Sequence, residues 1–224
     1  MRYESAEFCG LHYLIRYPQH YCETDRHPAI LFLHGAGGRG SDLEHLKTNP
    51  YFQITDKAED FPLLTFAPQC HMDTWFDLFE TLIRFAEAIA ARPDVDSSRI
   101  YVMGASMGGF ATWQIAMSRP DLFAAIIPIC GGGMYWNAGR LKDMPIWAFH
   151  GKLDDTVYVE ESVKMTDWVR RYGGDPRLTI YPENGHDSWT DTLTNPEVFK
   201  WLLEQENKNE IELVDKYTDP KIYG

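Results

Sequence analysis

The sequence predicts an α/β protein in which a mostly parallel β-sheet is flanked by helices. Five short runs of apolar residues recur along the chain, and uniform runs of this kind are typical of strands buried on both faces. Segments with apolar residues at helical spacing lie between several of these runs, and strands that alternate with helices favour parallel pairing. The five runs are residues 29–33, 63–67, 100–103, 124–129 and 146–149.

Two further strand signals lie outside these runs. Residues 8–18 alternate between apolar and polar side chains, which predicts one or two edge strands near the N-terminus. Residues 178–180 predict one more short strand after the fifth run.

Four helices are predicted from apolar periodicity and from signals at their ends. The first stops before the pair Arg92-Pro93, because the residue that precedes a proline disfavours helical geometry. The last has Asn195 as its N-cap and Pro196 at its first helical position. The predicted helices are residues 77–91, 107–118, 159–171 and 196–203.

Length and composition favour an ordinary globular protein. A chain of 224 residues with 44% hydrophobic and 24% charged residues is expected to form one domain, residues 1–224. The polar tail, residues 207–224, is expected to pack loosely. The first residues lack the apolar centre of a signal peptide, so a cytoplasmic location is expected.

Charge and cysteine content exclude several classes of function. The formal net charge of −12 argues against a nucleic-acid partner, since phosphate binding needs clustered Lys and Arg. No apolar run in the sequence is long enough to span a membrane. The four cysteines lack metal-site spacing, so reduced thiols are expected. Cys70 lies near the predicted site, where a buried bystander is favoured over a reactive thiol.

The segment Gly104-Ala105-Ser106-Met107-Gly108-Gly109 follows the third apolar run directly. A G-x-S-x-G segment between a strand and a helix can hold its serine on a sharp turn, with the hydroxyl exposed at the carboxyl edge of the sheet. The same serine could instead cap the following helix. The pentapeptide alone does not separate the two roles.

Three other predicted strand ends carry residues suited to catalysis, and such ends meet at one edge of an open α/β sheet. They are the glycine-rich segment 34–40, Asp154 and His186. Ser106, Asp154 and His186 stand in the chain order expected for a serine triad on such a turn. Serine needs a base because its hydroxyl is not ionised at neutral pH. Histidine can accept that proton, and a buried carboxylate can fix the tautomer of the histidine.

With these motifs, the sequence resembles the α/β-hydrolase superfamily. Within it, the pattern is similar to the compact group described as phospholipase/carboxylesterase, dienelactone-hydrolase-like or prolyl-oligopeptidase-like esterases. The matching segments span most of the chain and are residues 33–42, 67–70, 99–109, 150–157 and 185–189. Members of the group often have Glu where Gly38 stands in this sequence.

The resemblance implies roles for individual residues. Ser106 would be the nucleophile, Asp154 the orienting acid and His186 the base. The backbone N–H groups of Ala36 and Met107 would form the oxyanion hole, which stabilises the negative charge of a tetrahedral intermediate.

Other residues compete for these roles. Asp155 is adjacent to Asp154, and the spacing His-Gly-x-x-Asp-x-x-Val selects Asp154. His34 and His150 also precede glycines at strand ends, and hydrogen bonds within their loops are favoured over a role as the base. Asp187 is expected to anchor its loop. No metal site is expected, because no second histidine or cysteine lies at ligand spacing.

Polar and aromatic residues in predicted loops are candidates for substrate contact. Gln69 and Trp75 follow a strand end beside the site and are the preferred substrate contacts. Tyr135, Trp136 and Trp189 are equally compatible with a place in the pocket and with packing at the surface.

The sequence therefore predicts a serine esterase that cleaves small or accessible carboxylic esters through an acyl-enzyme, with no cofactor. Residues 131–145 are too few for a lid domain, which favours an open site. A prolyl-oligopeptidase-like serine peptidase is the alternative enzyme. A non-catalytic ligand-binding module is the alternative from a different class of function.

Overall fold

The computed structural model describes residues 2–209, and eight strands in this part of the chain form one sheet. The predicted α/β class is confirmed. The strands are β1 (Arg2–Phe8), β2 (Leu11–Tyr17), β3 (His27–Leu33), β4 (Leu64–Pro68), β5 (Val95–Ala105), β6 (Ala125–Ile129), β7 (Trp147–Gly151) and β8 (Arg177–Tyr181).

The sheet is mostly parallel, with strand order β1-β2-β4-β3-β5-β6-β7-β8. β2 pairs antiparallel with both β1 and β4, whereas all other neighbouring strands pair in parallel. The carboxyl ends of β3, β5, β7 and β8 consequently meet at one edge of the sheet.

Helices cover both faces of this sheet. Within residues 2–209, no helix combines the length and the apolar character that crossing a lipid bilayer requires. The helices are α1 (Leu43–Leu46), α2 (Pro50–Thr55), α3 (Phe79–Ala90), α4 (Met107–Ser118), α5 (Glu160–Arg171), α6 (Trp189–Thr194) and α7 (Pro196–Leu203).

The four predicted helices correspond to α3, α4, α5 and α7. The bounds of α4 agree with the prediction, and the Asn195 side chain accepts a hydrogen bond from the Glu197 N–H at the start of α7. α3 begins two residues later than predicted, because the chain first forms a 3-10 turn at Trp75–Leu78.

Two hydrophobic cores, one on each face of the sheet, explain the uniform apolar strands. Leu31 of β3 and Val102 of β5 pack in the core covered by α3, α4 and α5. Their neighbours Ile30 and Tyr101 pack on the opposite face, with side chains of α1, α2, α6 and α7. Because both faces are buried, every position of these central strands favours an apolar side chain.

The N-terminal hairpin begins earlier than the predicted edge strands at residues 8–18. β1 lies at the edge of the sheet and carries mostly polar, solvent-accessible side chains, so its apolar alternation is weak. Cys9 and Gly10 connect β1 to β2 with φ angles of 51° and 80°. Two positive φ angles in a two-residue turn match the twist of a β-hairpin.

The sequence patterns predict none of the three helices α1, α2 and α6. These helices have four to six residues, which is too short for an apolar period to repeat. Capping residues would have revealed two of them. Asp42 accepts a hydrogen bond from the Glu44 N–H, and Asn49 accepts one from the Tyr51 N–H with Pro50 at the first helical position.

Asn207, near the end of the described chain, forms hydrogen bonds at the end of the sheet that lies opposite the predicted site. Its N–H donates to the Ser98 carbonyl (2.7 Å), and its side-chain amide donates to the Asp121 carbonyl (2.5 Å). The start of the tail that was expected to pack loosely is therefore bonded to the domain. Residues 210–224 of that predicted tail lie outside the described residues.

A very close backbone contact joins α4 to β3. Gly108, in the first turn of α4, lies against Leu33 at the end of β3, and a Cβ atom added to Gly108 would overlap the Leu33 carbonyl oxygen. Only glycine permits this approach. The contact places the start of α4, and with it Ser106, beside the loop that follows β3.

We predict that Gly108→Ala lowers the free energy of unfolding by at least about 2 kcal/mol, because the added methyl group must displace backbone atoms. Gly37→Ala is a matched control, since nothing lies within 4 Å of the Cβ position there. Urea unfolding followed by circular dichroism measures both variants. Equal losses in the two variants would contradict the close contact.

Candidate active site

Ser106 stands on a strained turn between β5 and α4. Its backbone has φ 56° and ψ −119°, a combination that residues with a side chain rarely adopt. The Ser106 N–H donates to the Ile129 carbonyl at the end of β6 (2.9 Å), which holds the turn against the neighbouring strand. The turn directs the hydroxyl toward His186 rather than toward the N–H groups of α4, and no cap hydrogen bond from this side chain forms.

A chain of hydrogen bonds joins the three residues that the sequence singled out. The Ser106 Oγ lies 2.9 Å from His186 Nε2, and His186 Nδ1 lies 2.8 Å from Asp154 Oδ2. A carboxylate only accepts hydrogen bonds, so Nδ1 carries the proton and Nε2 is free to accept one from the serine hydroxyl. In this arrangement His186 is able to act as a base toward Ser106.

Asp154 is buried, and its carboxylate is fixed by the turn that follows it. Oδ1 accepts hydrogen bonds from the N–H groups of Thr156 (3.0 Å) and Val157 (2.9 Å). Burial alone would raise the pKa of Asp154, but the hydrogen bonds from His186 and from these two N–H groups outweigh it and hold the pKa below its usual value. The carboxylate therefore stays ionised beside His186.

The neighbouring acids lie outside this chain of hydrogen bonds. Asp155 is exposed and contacts the hydroxyl of Thr156. Asp187 accepts hydrogen bonds from both the N–H and the hydroxyl of Thr190, at 3.0 Å each, and so anchors the start of α6. The structure places each of them where the sequence analysis expected it, with Asp154 rather than Asp155 next to His186.

The two residues predicted to form the oxyanion hole each begin a helical turn. Ala36 is the first residue of a 3-10 turn, Ala36–Gly38, and Met107 is the first residue of α4. The N–H groups of first residues have no acceptor within their own helix. A Cβ atom added to Gly35 would lie 3.5 Å from the Ser106 Cβ, so the loop of Ala36 abuts the turn of Ser106.

His34 holds the peptide group that carries the Ala36 N–H. The Cys70 N–H donates to His34 Nε2 (2.9 Å), so the proton of the neutral ring is on Nδ1, which donates to the Gly35 carbonyl (2.6 Å). Burial lowers the pKa of His34 to about 4, so the ring is neutral at neutral pH. The Gly35 carbonyl and the Ala36 N–H belong to one planar peptide group, and fixing one end orients the other.

The structure places the two predicted substrate contacts, Gln69 and Trp75, beneath the loop after β3. Both side chains are buried, and neither lines the cavity next to Ser106. Instead they support the loop after β3: Trp75 Nε1 donates to the His34 carbonyl (3.0 Å), and Gln69 Nε2 donates to the Gly38 carbonyl (3.0 Å).

Gly38 packs so closely on the His34 ring that a Cβ atom added to Gly38 would lie 2.6 Å from the ring. This loop therefore has no room for the Glu that related sequences often have at this position.

Ser106 and His186 open onto a cavity of about 470 Å³. Trp189 lines it and packs edge-on against the His186 ring, with the ring centroids 5.4 Å apart. Tyr135 and Trp136, the other aromatic candidates, do not line it, and Trp136 is 60% exposed. The remaining lining residues are Phe32, Gly35, Ala36, Gly37, Gly38, His45, Leu46, Thr48, Asn49, Pro50, Ala105, Thr156 and Leu193.

The helices that sequence analysis missed supply one wall of this cavity. His45 and Leu46 come from α1, Asn49 and Pro50 from the start of α2, and Leu193 from α6. None of them lies in the first few residues after a strand, so the rule that located Ser106, Asp154 and His186 does not reach them. The capping pair Asn49-Pro50 is the signal that would have placed a helix here.

One group of metal-ligand residue types comes together in the described part of the chain. The donor atoms of Cys130, Asp154 and His186 lie within 4.8 Å of one another. His186 Nδ1 carries the proton that binds Asp154, and burial raises the pKa of the Cys130 thiol to about 12. Metal ligands must be deprotonated. These donors, as the structure holds them, do not suit a metal ion.

All four cysteines are free thiols. Cys9 and Cys22 are exposed, whereas Cys70 and Cys130 are buried. Burial raises the pKa of the Cys70 thiol, which lowers the fraction present as reactive thiolate. The structure therefore agrees with a bystander role for this thiol.

Comparisons with known proteins point to hydrolases. Residues 65–137, about a third of the chain, match the model of the prolyl oligopeptidase family. A bifunctional acetylxylan esterase/xylanase from Neocallimastix patriciarum is 24% identical over 139 residues, which cover 60% of this chain and 20% of that protein. A probable feruloyl esterase C from Aspergillus niger is 23% identical over 189 residues, covering 82% of this chain and 70% of that protein.

A similar solved structure is also that of a hydrolase. The crystal structure of a thermostable esterase superposes with a TM-score of 0.77 and 31% sequence identity, and the match covers 92% of this chain and 63% of that chain. The chain thus spans less than two thirds of this esterase and a fifth of the bifunctional relative.

We predict that Asp154→Asn slows the reaction of Ser106 with a fluorophosphonate by at least about 100-fold, because the amide stabilises the wrong tautomer of His186. Asp155→Asn is the matched control and is expected to react within about 3-fold of the wild-type rate, since surface substitutions away from special contacts have small effects. The rate of covalent labelling measures both. A larger loss in Asp155→Asn would reverse the assignment.

We also predict a pH dependence of stability that arises from His34. Its pKa is about 4 in the folded chain and near 6.5 when unfolded, so between these pH values the unfolded chain binds a proton that the folded chain does not. Its stabilising contribution is complete above pH 6.5 and falls by about 3 kcal/mol as the pH drops to 4.

Urea unfolding of His34→Asn at several pH values between 7 and 4 tests this origin. The variant is expected to lose less stability over this range than the wild-type protein does. His20→Asn, at an exposed histidine, controls for the loss of an imidazole. An unchanged pH dependence in His34→Asn would show that His34 is not the source.

Proposed function

We propose that this chain, a member of the α/β-hydrolase superfamily, is a serine esterase that cleaves small or accessible carboxylic esters through a covalent acyl-enzyme. The observation that carries the proposal is the hydrogen-bonded chain from Ser106 through His186 to Asp154, which opens onto a cavity. The proposal treats residues 1–224 as one α/β-hydrolase domain, supported by the single sheet of the described residues.

Formation of the acyl-enzyme uses the hydrogen bond between Ser106 and His186. The Oγ of Ser106 attacks the ester carbonyl carbon while its proton passes to His186 Nε2. Asp154 stabilises the resulting imidazolium through the hydrogen bond at Nδ1. His186 then gives the proton to the alcohol oxygen as the bond from that oxygen to the acyl carbon breaks.

The tetrahedral intermediate carries a negative charge on the former carbonyl oxygen. The N–H groups of Ala36 and Met107 are the proposed donors to it, each worth roughly 3 kcal/mol in a preorganised site. The start of α4 adds the positive end of a helix dipole. Water then takes the place of the alcohol: its oxygen attacks the acyl carbon while one of its protons passes to His186 Nε2. His186 returns that proton to Ser106 Oγ as the bond from Oγ to the acyl carbon breaks, which releases the carboxylic acid.

The lining of the cavity supports an uncharged acyl group as substrate. Phe32, Leu46, Pro50, Trp189 and Leu193 supply apolar surface, and the cavity lining in the described part of the chain contains no Asp, Glu, Lys or Arg. An acyl group with a fixed charge would lose its hydration there without gaining an ionic partner.

A serine peptidase is the second candidate, favoured by the match to the prolyl oligopeptidase family. The same three residues would cleave an amide. An aminoacyl substrate with a cationic amino group would find no carboxylate among the described residues of the cavity lining, which supports the esterase. A non-catalytic binding module would not need the proton relay at all.

We predict that a fluorophosphonate labels the wild-type protein at Ser106, identified by mass spectrometry of the labelled peptide. Ser106→Ala is expected to lose the label and to hydrolyse esters at least about 1,000-fold more slowly, because it removes the nucleophile. Ser118→Ala, at the other end of α4, is the matched control and keeps both activities. An unlabelled wild-type protein would overturn the proposal in favour of a binding module.

A substrate panel separates the two enzyme candidates. The panel holds p-nitrophenyl acyl esters of increasing chain length, a feruloyl ester and aminoacyl amides. The esterase proposal expects a higher kcat/KM for the uncharged esters, whereas a higher value for the aminoacyl amides would favour the peptidase.

A further inference from the structure

His150 is a second histidine next to Asp154, and the reaction described above does not use it. It lies at the end of β7 and is fully buried. Its Nε2 lies 3.3 Å from Asp154 Oδ2, the oxygen that also binds His186. The two imidazoles therefore flank a single carboxylate.

The hydrogen bonds of His150 define the position of one ring proton. Nε2 lies 2.8 Å from the Val157 carbonyl oxygen, which can only accept, so Nε2 carries a proton and donates it there. The N–H of the same Val157 binds the other oxygen of the acid, Asp154 Oδ1, at 2.9 Å. His150 thus fixes Val157, and the N–H of Val157 in turn binds the carboxylate of Asp154.

The other ring nitrogen ties this turn to two further elements. Nδ1 of His150 lies 2.7 Å from the hydroxyl of Ser162, a buried residue of α5. The same hydroxyl lies 3.0 Å from the carbonyl oxygen of Gly131, just after β6. Gly131 packs against the backbone of Gly109 in the first turn of α4. The hydroxyl has one proton, which it can donate either to Nδ1 or to the Gly131 carbonyl. Ser162 therefore lies between the ring and the chain that supports Ser106, and the ring joins the turn of Asp154 to α5.

We propose that His150 is a positioning residue for the acid: its Nε2–H clamps the Asp154–Val157 turn so that the carboxylate faces His186, and Ser162 fixes the ring from behind. This inference rests on the proposed function of Ser106, His186 and Asp154. Burying an imidazole is costly unless its nitrogens are bonded, and an apolar side chain would fill a site that served packing alone.

The first test compares two substitutions of His150. His150→Gln offers an amide N–H close to the place of Nε2 and is expected to keep kcat within about 5-fold of the wild-type value. His150→Phe removes both hydrogen bonds of the ring and is expected to lower kcat about 30-fold, since small misplacements of catalytic groups are costly. KM is expected to stay unchanged in both variants, because His150 does not line the cavity. A His150→Phe variant that keeps the wild-type kcat would overturn the proposal.

Ser162 provides a test that does not depend on how well the His150 variants fold. Ser162→Ala leaves His150 in place and removes its support, and is expected to lower kcat by about 5-fold, as for loss of a group that orients a site. Thr166→Val, one turn later on α5, removes another buried hydroxyl that bonds only within the helix, and is the matched control. Equal kcat values in Ser162→Ala and Thr166→Val would overturn the proposed positioning role of His150.

A spectroscopic readout separates failure of this inference from failure of the proposed function. The proton between His186 Nδ1 and Asp154 is expected to give a low-field ¹H resonance, measurable by NMR without any substrate. His150→Phe and Ser162→Ala are expected to shift or broaden it, while Thr166→Val leaves it unchanged. If the wild-type protein is inactive on esters but the variants shift this resonance, the esterase proposal is refuted and the positioning role of His150 stands. If the wild-type protein is active but the variants do not shift the resonance, only the positioning role of His150 is refuted.

Discussion

The close contact between Gly108 and Leu33 is the constraint on which the site depends. It brings the first turn of α4 against the end of β3 at a distance that no side chain would allow. Two features of the site lie next to this contact. Ser106, with its unusual backbone conformation, comes two residues before Gly108, and the loop that carries Ala36 lies against the turn of Ser106. Backbone packing thus helps to place both the proposed nucleophile and the proposed oxyanion donors, and the side chains of His34, Trp75 and Gln69 hold the loop of Ala36 in addition.

Three histidines at the same sheet edge show how surroundings decide a role. His34 is buried with its Nε2 bonded to a backbone N–H, so its ring is neutral and supports a loop. His150 is buried with its proton on Nε2, facing a carbonyl oxygen. His186 is partly exposed, and Asp154 holds its proton on Nδ1, which frees Nε2 for Ser106. Each hydrogen-bond partner sets the tautomer, and the tautomer sets what the ring can do.

Much of the fold, and the meeting of Ser106, Asp154 and His186 at one sheet edge, could be predicted, because strong physical signals coincide there. Strands buried on both faces must be apolar at every position. Ser106 directly follows β5, and Asp154 and His186 lie in the loops after β7 and β8. The cavity wall could not be predicted in this way, because α1, α2 and α6 are shorter than two helical turns. Gln69 and Trp75 show a different limit: nearness to a strand end does not tell whether a side chain points into the cavity or beneath the loop.

The positive φ of Ser106 means that the proposed nucleophile lowers the stability of the folded chain. Any residue with a Cβ atom bears a conformational cost of about 1–3 kcal/mol in this turn, so alanine would keep the strain of serine while glycine would relieve it. A library selected for thermal stability alone would therefore drift toward glycine at residue 106 and discard the hydroxyl. Protein engineers who stabilise this scaffold should hold this position fixed, because the most favourable backbone substitution is also the one that removes the proposed nucleophile.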